Sequence, residues 1–362
     1  MRNGKVKQIR KHKSIGYFLP AILLAVLVMG GFSCNLIGPH NASGPDTTSS
    51  NFTWTVDTIG ASGSYLYDVS IVNDSLAYAV GLIMPSDSIG RSNTIYWDNA
   101  AVWNGTKWKP FQVPYYYNGK KTFTTLHCVF ARNANDVWFE SENWNGNTYT
   151  QSAIPFFAAY ANKEWESPDG KQVYIVGTNG IIAYSPDHGS TWEQVQTGTT
   201  LPFQDIWGDG GQVLAVASSH NVAARQLYSL KGNNATAISD SGLSYVFGGV
   251  WFLADQKYYL AGDGVFAKSS LGQASWYRYP LGEVASYYSN AIRGTALNDI
   301  VIAGDFADIS HFNGARWMEY KDLYNPIDKL RSIAIKGNTV IAVGIRTYSG
   351  LRYYALAYVG RR

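Results

Sequence analysis

Cysteine is almost missing from this chain: Cys34 and Cys128 are the only two in 362 residues. Two thiols exclude a disulfide framework and a cysteine-based zinc site. Histidine is scarce too, and His12, His40, His127, His188, His220 and His311 show no metal-type spacing, so no metal is expected. No G-x-x-x-x-G-K-[ST] loop occurs, nor a strand, glycine-rich turn and helix in succession. That excludes the common cradles for nucleotide phosphates, and no cofactor is expected. Charged residues make up only 15%, well below the roughly 25% of an average soluble chain. No basic patch stands out, so nucleic acid is not an expected partner.

What the chain has instead is aromatic: 15% Phe, Trp and Tyr, beside 36 glycines. Aromatic residues favour strands and glycine favours tight turns, so the composition reads all-β. The first 16 residues carry six basic side chains (Arg2, Lys5, Lys7, Arg10, Lys11, Lys13) and no acid. An apolar run from Ile15 to Met29 follows, then Gly30-Gly31-Phe32-Ser33-Cys34. A basic start, an apolar core of this length and small residues after it mark a secretory signal. A cysteine at its end resembles the lipobox of bacterial lipoproteins, with Gly31 and Phe32 departing from the usual pattern. The resemblance implies cleavage after residue 33, lipid attachment at Cys34, and an outer-membrane lipoprotein of the bacterial cell envelope. An uncleaved single-span anchor is the competing reading, because the run is barely long enough to cross a bilayer. Ordinary secretion is a third. Loss of residues 1–33 would turn the formal charge from +3 to −3, since six of the 29 basic residues and none of the 26 acidic ones lie there.

Residues 34–51 are rich in Ser, Thr, Gly, Asn and Pro and read as a flexible tether. Residues 52–362 read as one body built from a repeat. A short first strand is followed, after a polar turn, by an apolar strand ending in a small residue. Copies of the second strand are Ala77–Gly81, Val173–Gly177, Val213–Ala217, Tyr258–Gly262, Ile300–Gly304 and Val340–Gly344, with Asp136–Phe139 a poorer one. A third strand leads to an Asn-Gly turn, as at Asn104-Gly105 and Asn313-Gly314, suited to a two-residue hairpin. Trp108, Trp192, Trp276 or Trp317 opens the fourth strand. Nearly continuous apolar second strands imply burial on both faces. Seven units at about 44 residues each match the blades of a β-propeller. The last unit lacks a tryptophan-led fourth strand, and Phe52–Thr58, with Trp54, is an orphan strand of that type. Pairing residues 52–58 with the last blade would close a seven-bladed ring of four-stranded antiparallel sheets and remove an open edge.

One copy contains Ser185-Pro186-Asp187-His188-Gly189-Ser190-Thr191-Trp192, which fits S-x-D-x-G-x-x-W. This segment resembles the Asp-box (BNR) hairpin of propeller blades. The repeats, in units such as Asn298-Asp299-Ile300-Val301-Ile302-Ala303-Gly304, are similar to those of bacterial lipoproteins with an Asp-box or photosystem II assembly-factor-like propeller. The resemblance covers residues 52–362. It implies a structural role for Ser185, Asp187, Gly189 and Trp192, because the hairpin occurs in glycosidases and non-enzymatic binders alike.

Catalytic chemistry finds little support. Sialidases need three arginines and an Arg-Ile-Pro segment that this chain lacks. Other glycosidases need two carboxylates about 5–9.5 Å apart. Asp68, Asp205, Glu164 and Asp263 lie near first strands or their turns, where capping backbone amides is the simpler role. His127 and Cys128 are adjacent on a strand and point to opposite faces, which excludes a nucleophile pair. Tyr115-Tyr116-Tyr117, after Pro114 and before Asn118-Gly119, has the features of a binding surface: large rings with few torsions to freeze. Tyr287-Tyr288 and Tyr353-Tyr354 are further aromatic pairs, the last within a strand. The sequence therefore points to a monomeric, lipid-anchored envelope module that binds or scaffolds a protein or glycan, with a glycan-active enzyme on the same fold as the alternative. The membrane, through the lipid, would be its other partner.

Overall fold

The structure, a computed structural model, describes residues 46–85, 97–117, 119–157, 160–273, 275–350 and 352–362. Cys34, the expected signal and most of the expected tether lie outside the described residues. Seven antiparallel sheets of four strands follow one another along the chain, as the repeat implies. Their innermost strands are Tyr65–Asn73, Phe130–Asn133, Ala161–Glu166, Phe203–Asp209, Phe247–Leu253, Ser289–Ala296 and Asp328–Lys336. The second strands carry the apolar runs. Val173–Gly177 and Asp299–Gly304 are buried at every residue, since each blade is sandwiched between two others. Apolar clusters fill the seams between blades. Between the second and third blades, Cys128, Ala161, Ile175 and Ala183 form a small buried cluster, with Ile154, Phe156, Phe157 and Trp192 packed against it.

Strand Thr53–Ile59 is the outer strand of the seventh blade, pairing with Arg352–Arg361 from Thr53 opposite Arg361 to Ile59 opposite Ala355. Trp54 lies across Gly360, where a Cβ would sit 2.9 Å from the indole, so a larger residue there would have to push the indole aside. Arg362 fastens the closure. Its guanidinium donates to both Asp299 oxygens at 2.8 Å and to Ser49 O at 3.0 Å, and lies over the Phe52 ring. Residues 46–51, the end of the segment read as a tether, run against the sixth blade. Thr48 N donates to Asn313 O at 3.1 Å, and Ser50 Oγ is 2.7 Å from His311 Nδ1.

Turns in such blades alternate between two ends. Loops entering a blade, and loops between its second and third strands, share one end, here called the upper face. First-to-second and third-to-fourth turns share the lower face.

Candidate functional site

The inner strands are irregular in a repeated way. Pairing with the second strand skips one residue in six blades: Tyr67, Asn162, Gln204, Gly248, Asn290 and Arg331. Each is a β-bulge, which bends the strand and re-aims a side chain. In the second blade the matching residue is His127, in Leu126-His127-Cys128-Val129 beside Leu66-Tyr67-Asp68-Val69. These six positions and His127 line the mouth of the central channel on the upper face, a cavity of about 410 Å3 completed by His220, Tyr288 and Lys329 among others. One position in each blade thus builds the site.

The residue after each bulge lies deeper. Lys163 Nζ binds Asp68 Oδ1 and, at 3.0 Å, Ser332 Oγ, joining the third, first and seventh blades across the channel. Arg293 forks onto Asp205 with two bonds of 2.7 Å. The same carboxylates accept backbone amides of the next blade, Val129 N at 3.2 Å and Val250 N at 2.9 Å. Asp68 and Asp205 therefore satisfy amides and cations, and Asp263 pairs with Arg278 at 2.5 Å. Beneath this charged layer lies a second cavity of about 270 Å3, lined by Ile71, Ile206, Trp207 and Ile335 among others.

Among the described residues, no Asp or Glu lines the mouth. The Arg331 guanidinium sits 4.5 Å from the Tyr67 ring centre, and Tyr67 packs on His127 at 4.6 Å. Glu140, held at φ +60, orients His127: its Oε1 accepts the His127 amide at 2.5 Å and stands 3.1 Å from Nδ1. His220 packs on Tyr288 at 4.8 Å. Burial, then Asp305 and Asp263, hold the Tyr288 hydroxyl well above the usual tyrosine range. Asn162, Gln204 and Asn290 donate their amide nitrogens to Phe203 O, Ser218 O and Leu330 O at 2.7–2.8 Å. Among the described residues their side-chain oxygens accept no hydrogen bond.

His127 also belongs to a groove of about 430 Å3 along the seam between the second and third blades, lined by Tyr115, Gln151, Ile154, Phe157 and Tyr160. The tyrosine cluster forms the first arm of a small hairpin, Tyr115–Tyr117 against Lys120–Thr122. Tyr115 faces the groove, while Tyr116 and Tyr117 are 51% and 65% exposed. They are not alone. Tyr160, Val222, Tyr245, Phe306, Tyr324, Ile327 and Tyr348 are exposed as well, all on upper-face loops or strand ends. The remaining exposed large apolar residues, Val56 and Tyr277, sit on outermost strands. Among the described residues, lower-face turns contribute none. Tyr287, Phe306 and Tyr324 form one exposed cluster, with Phe306 and Ala307 at φ +63 and +58. Such backbone is costly for an aromatic residue and is often kept at binding sites. Tyr353 and Tyr354 are half-buried in the seventh blade.

The turn at Ser185–Trp192 lies on the opposite, lower face. Asp187 accepts Thr191 N and Thr191 Oγ1 at 2.7 Å and Ser185 Oγ at 3.0 Å, and the bonds from Thr191 hold its carboxyl below the usual range. Gly189 adopts φ +79, and Trp192 Nε1 donates to Gly189 O at 3.1 Å. Nearby, Asp136, Glu166 and His188 bring three potential ligand atoms within 4.8 Å, but Arg132 binds both carboxylates and already supplies the cation. Burial, then Asp136, pushes Glu166 up to about 7.

One buried acid breaks the repeat. The residue two after each bulge is Val69, Val129, Ile206, Val250, Ile292 or Ile333, but in the third blade it is Glu164. It is 5% exposed, and neither carboxyl oxygen has a hydrogen-bond partner of normal geometry, although the Cys128 thiol and the Glu140 amide are its neighbours. Burial, then Glu140 and Asp68, holds it well above the usual carboxyl range.

The sequence matches no protein-family model and no curated protein. Among solved structures it is similar to YCF48 bound to D1 peptide, with a TM-score of 0.60 and 12% identity over 87% of this chain and 99% of the other. It is also similar to YCF48 from Cyanidioschyzon merolae, with a TM-score of 0.53 and 11% identity over 84% and 98%. At these identities the shared feature is the propeller fold.

Proposed function

We propose that this chain is a lipid-anchored module of a bacterial envelope whose upper face binds an extended segment of a partner protein. The observation that carries this reading is the distribution of exposed large apolar side chains, concentrated on the loops of one face around a hydrogen-bonding mouth. Exposed aromatic residues gathered around a concave site favour binding surfaces. A similarly folded protein, YCF48, has been seen with a peptide bound, which supports a protein partner over a glycan. Enzymatic action on glycans needs two free carboxylates flanking a sugar. The mouth offers none, and Asp68 and Asp205 are tied to Lys163 and Arg293. Lipid attachment at Cys34 rests on the N-terminal sequence pattern.

A photo-crosslinking amino acid placed in the membrane-bound chain tests the surface. Substitution at Tyr160, Tyr245 or Tyr348 should trap a protein partner, whereas substitution at Asn147 or Asn233, on the lower face, should not. Equal trapping from both faces, or none from the upper one, would refute the assignment.

A further inference from the structure

Arg331 is the cation of the mouth that the surrounding chain does not use. Lys163 is matched by Asp68, Arg293 by Asp205, and Lys329 by Asp305 at 3.1 Å. Arg331 makes no hydrogen bond or ion pair among the described residues, and its Nε is shielded from solvent with no acceptor. A buried donor without an acceptor is costly, and a guanidinium lying over an aromatic ring still offers its in-plane N–H groups. The Tyr67 ring provides that stack. What is missing is a planar oxyanion, and among the described residues no carboxylate lines the mouth to supply one.

The rest of the mouth narrows the ligand. Asn162, Gln204 and Asn290 line it with their nitrogens engaged, those of Asn162 and Asn290 by the next blade and that of Gln204 by its own, which leaves their side-chain oxygens. Those oxygens accept hydrogen bonds, so the ligand must bring donors as well as negative charge. Inorganic phosphate brings few donors and would meet three acceptors. A peptide carrying a carboxylate brings both, since its backbone N–H groups recur along the chain. The groove that leaves the mouth past His127, walled by Ile154, Phe157 and Tyr160, suits the apolar side chains that follow.

We infer that the mouth receives a carboxylate of an extended peptide, forked onto Arg331, with peptide N–H groups on the three amide oxygens and the following residues in the groove between the second and third blades. This rests on the upper face being the binding surface. The probe is a fluorescent octapeptide of glutamate and glycine, compared with its glutamine counterpart, titrated by anisotropy into the full chain in detergent micelles. The acidic peptide should bind at least about tenfold more tightly than the neutral one, a difference of about 1.4 kcal/mol. Arg331→Gln should abolish that difference without lowering the melting temperature, and Arg331→Lys should restore part of it. Equal affinity for both peptides, no binding of the acidic one at millimolar concentration, or an unaltered preference in Arg331→Gln would overturn the inference. So would tighter binding of oligogalacturonate, an acidic sugar, or of inorganic phosphate. If crosslinks from Tyr160 still reach a protein while Arg331→Gln changes nothing, the carboxylate assignment falls alone. If both fail, the binding face falls with it.

Discussion

Replacing Glu164 by valine should make the protein more stable, and more so as pH rises. The side chain is 5% exposed, stands where six blades carry Val or Ile, and has both carboxyl oxygens without a partner of normal geometry. Burying an unpaired polar group costs roughly 1–3 kcal/mol even when it is neutral. Valine is of similar size and needs no partner, so Glu164→Val should gain about 1–3 kcal/mol, or about 2–6 °C in melting temperature for a body this large. Ionisation adds to the penalty. The folded value lies well above the ordinary 4.5. The wild type therefore keeps its full stability below about 4.5 and loses it as pH rises through the folded value. The gain from Glu164→Val should accordingly be larger at pH 9 than at pH 5, and Glu164→Gln should remove the pH-dependent part alone. Calorimetric melts at the two pH values measure this. Some slope will persist, because burial also pushes Glu142 up to about 8 and Glu166 to about 7. A lower melting temperature for Glu164→Val at both pH values, or a gain identical at the two, would show that Glu164 has a favourable partner in the folded state.

Three further outcomes are expected. Asp187→Ala should lower the melting temperature and leave upper-face binding intact, because its carboxylate holds a lower-face turn; an unchanged melt with lost binding would reverse that assignment. The low carboxyl value of Asp187 makes its contribution full above the ordinary value near 3.8 and lost as pH falls through the folded one. Asp205→Ala leaves Arg293 buried without its partner and should cost about 3–5 kcal/mol in a denaturant melt, as removal of one member of a buried pair does. Cys34→Ser should abolish lipid labelling and release the chain from the membrane fraction; retention would favour the single-span reading.

The blade count and the closing strand were legible because burial on both faces forces an apolar run in every second strand, and because Trp54 marked a strand lacking its blade. The tyrosine cluster was visible by its position between Pro114 and Asn118-Gly119, although not its hairpin. The mouth is not legible in the sequence because its residues share no chemistry: Tyr67, His127, Asn162, Gln204, Gly248, Asn290 and Arg331 are linked only by their place in the repeat. The signal was present in the aligned inner strands, as Leu-Tyr-Asp-Val, Leu-His-Cys-Val, Phe-Gln-Asp-Ile and Leu-Arg-Ser-Ile. Side by side, they show one variable position ahead of a β-branched one. Glu164 is conspicuous in the same alignment. Its burial, and the pairing of Lys163 with a carboxylate two blades away, follow from ring geometry that no single strand reveals.

The shared seventh blade imposes an order on folding. Thr53 is made near the beginning of the chain and Arg361 some 300 residues later, yet the two are strand partners. Loop closure over that span costs little more than over half of it, because the entropy grows only with the logarithm of length. Time is the larger consequence. Six blades can collapse hairpin by hairpin while the chain emerges, but the seventh keeps an unpaired edge until both ends are present. During that interval the nascent ring is an open arc with a sticky strand at its leading end. The bonds from Arg362 to Asp299 and Ser49 involve residue 362, so they form only after both closing strands have been made. A chain stopped just short of Arg352 would have six finished blades and no means of closing them.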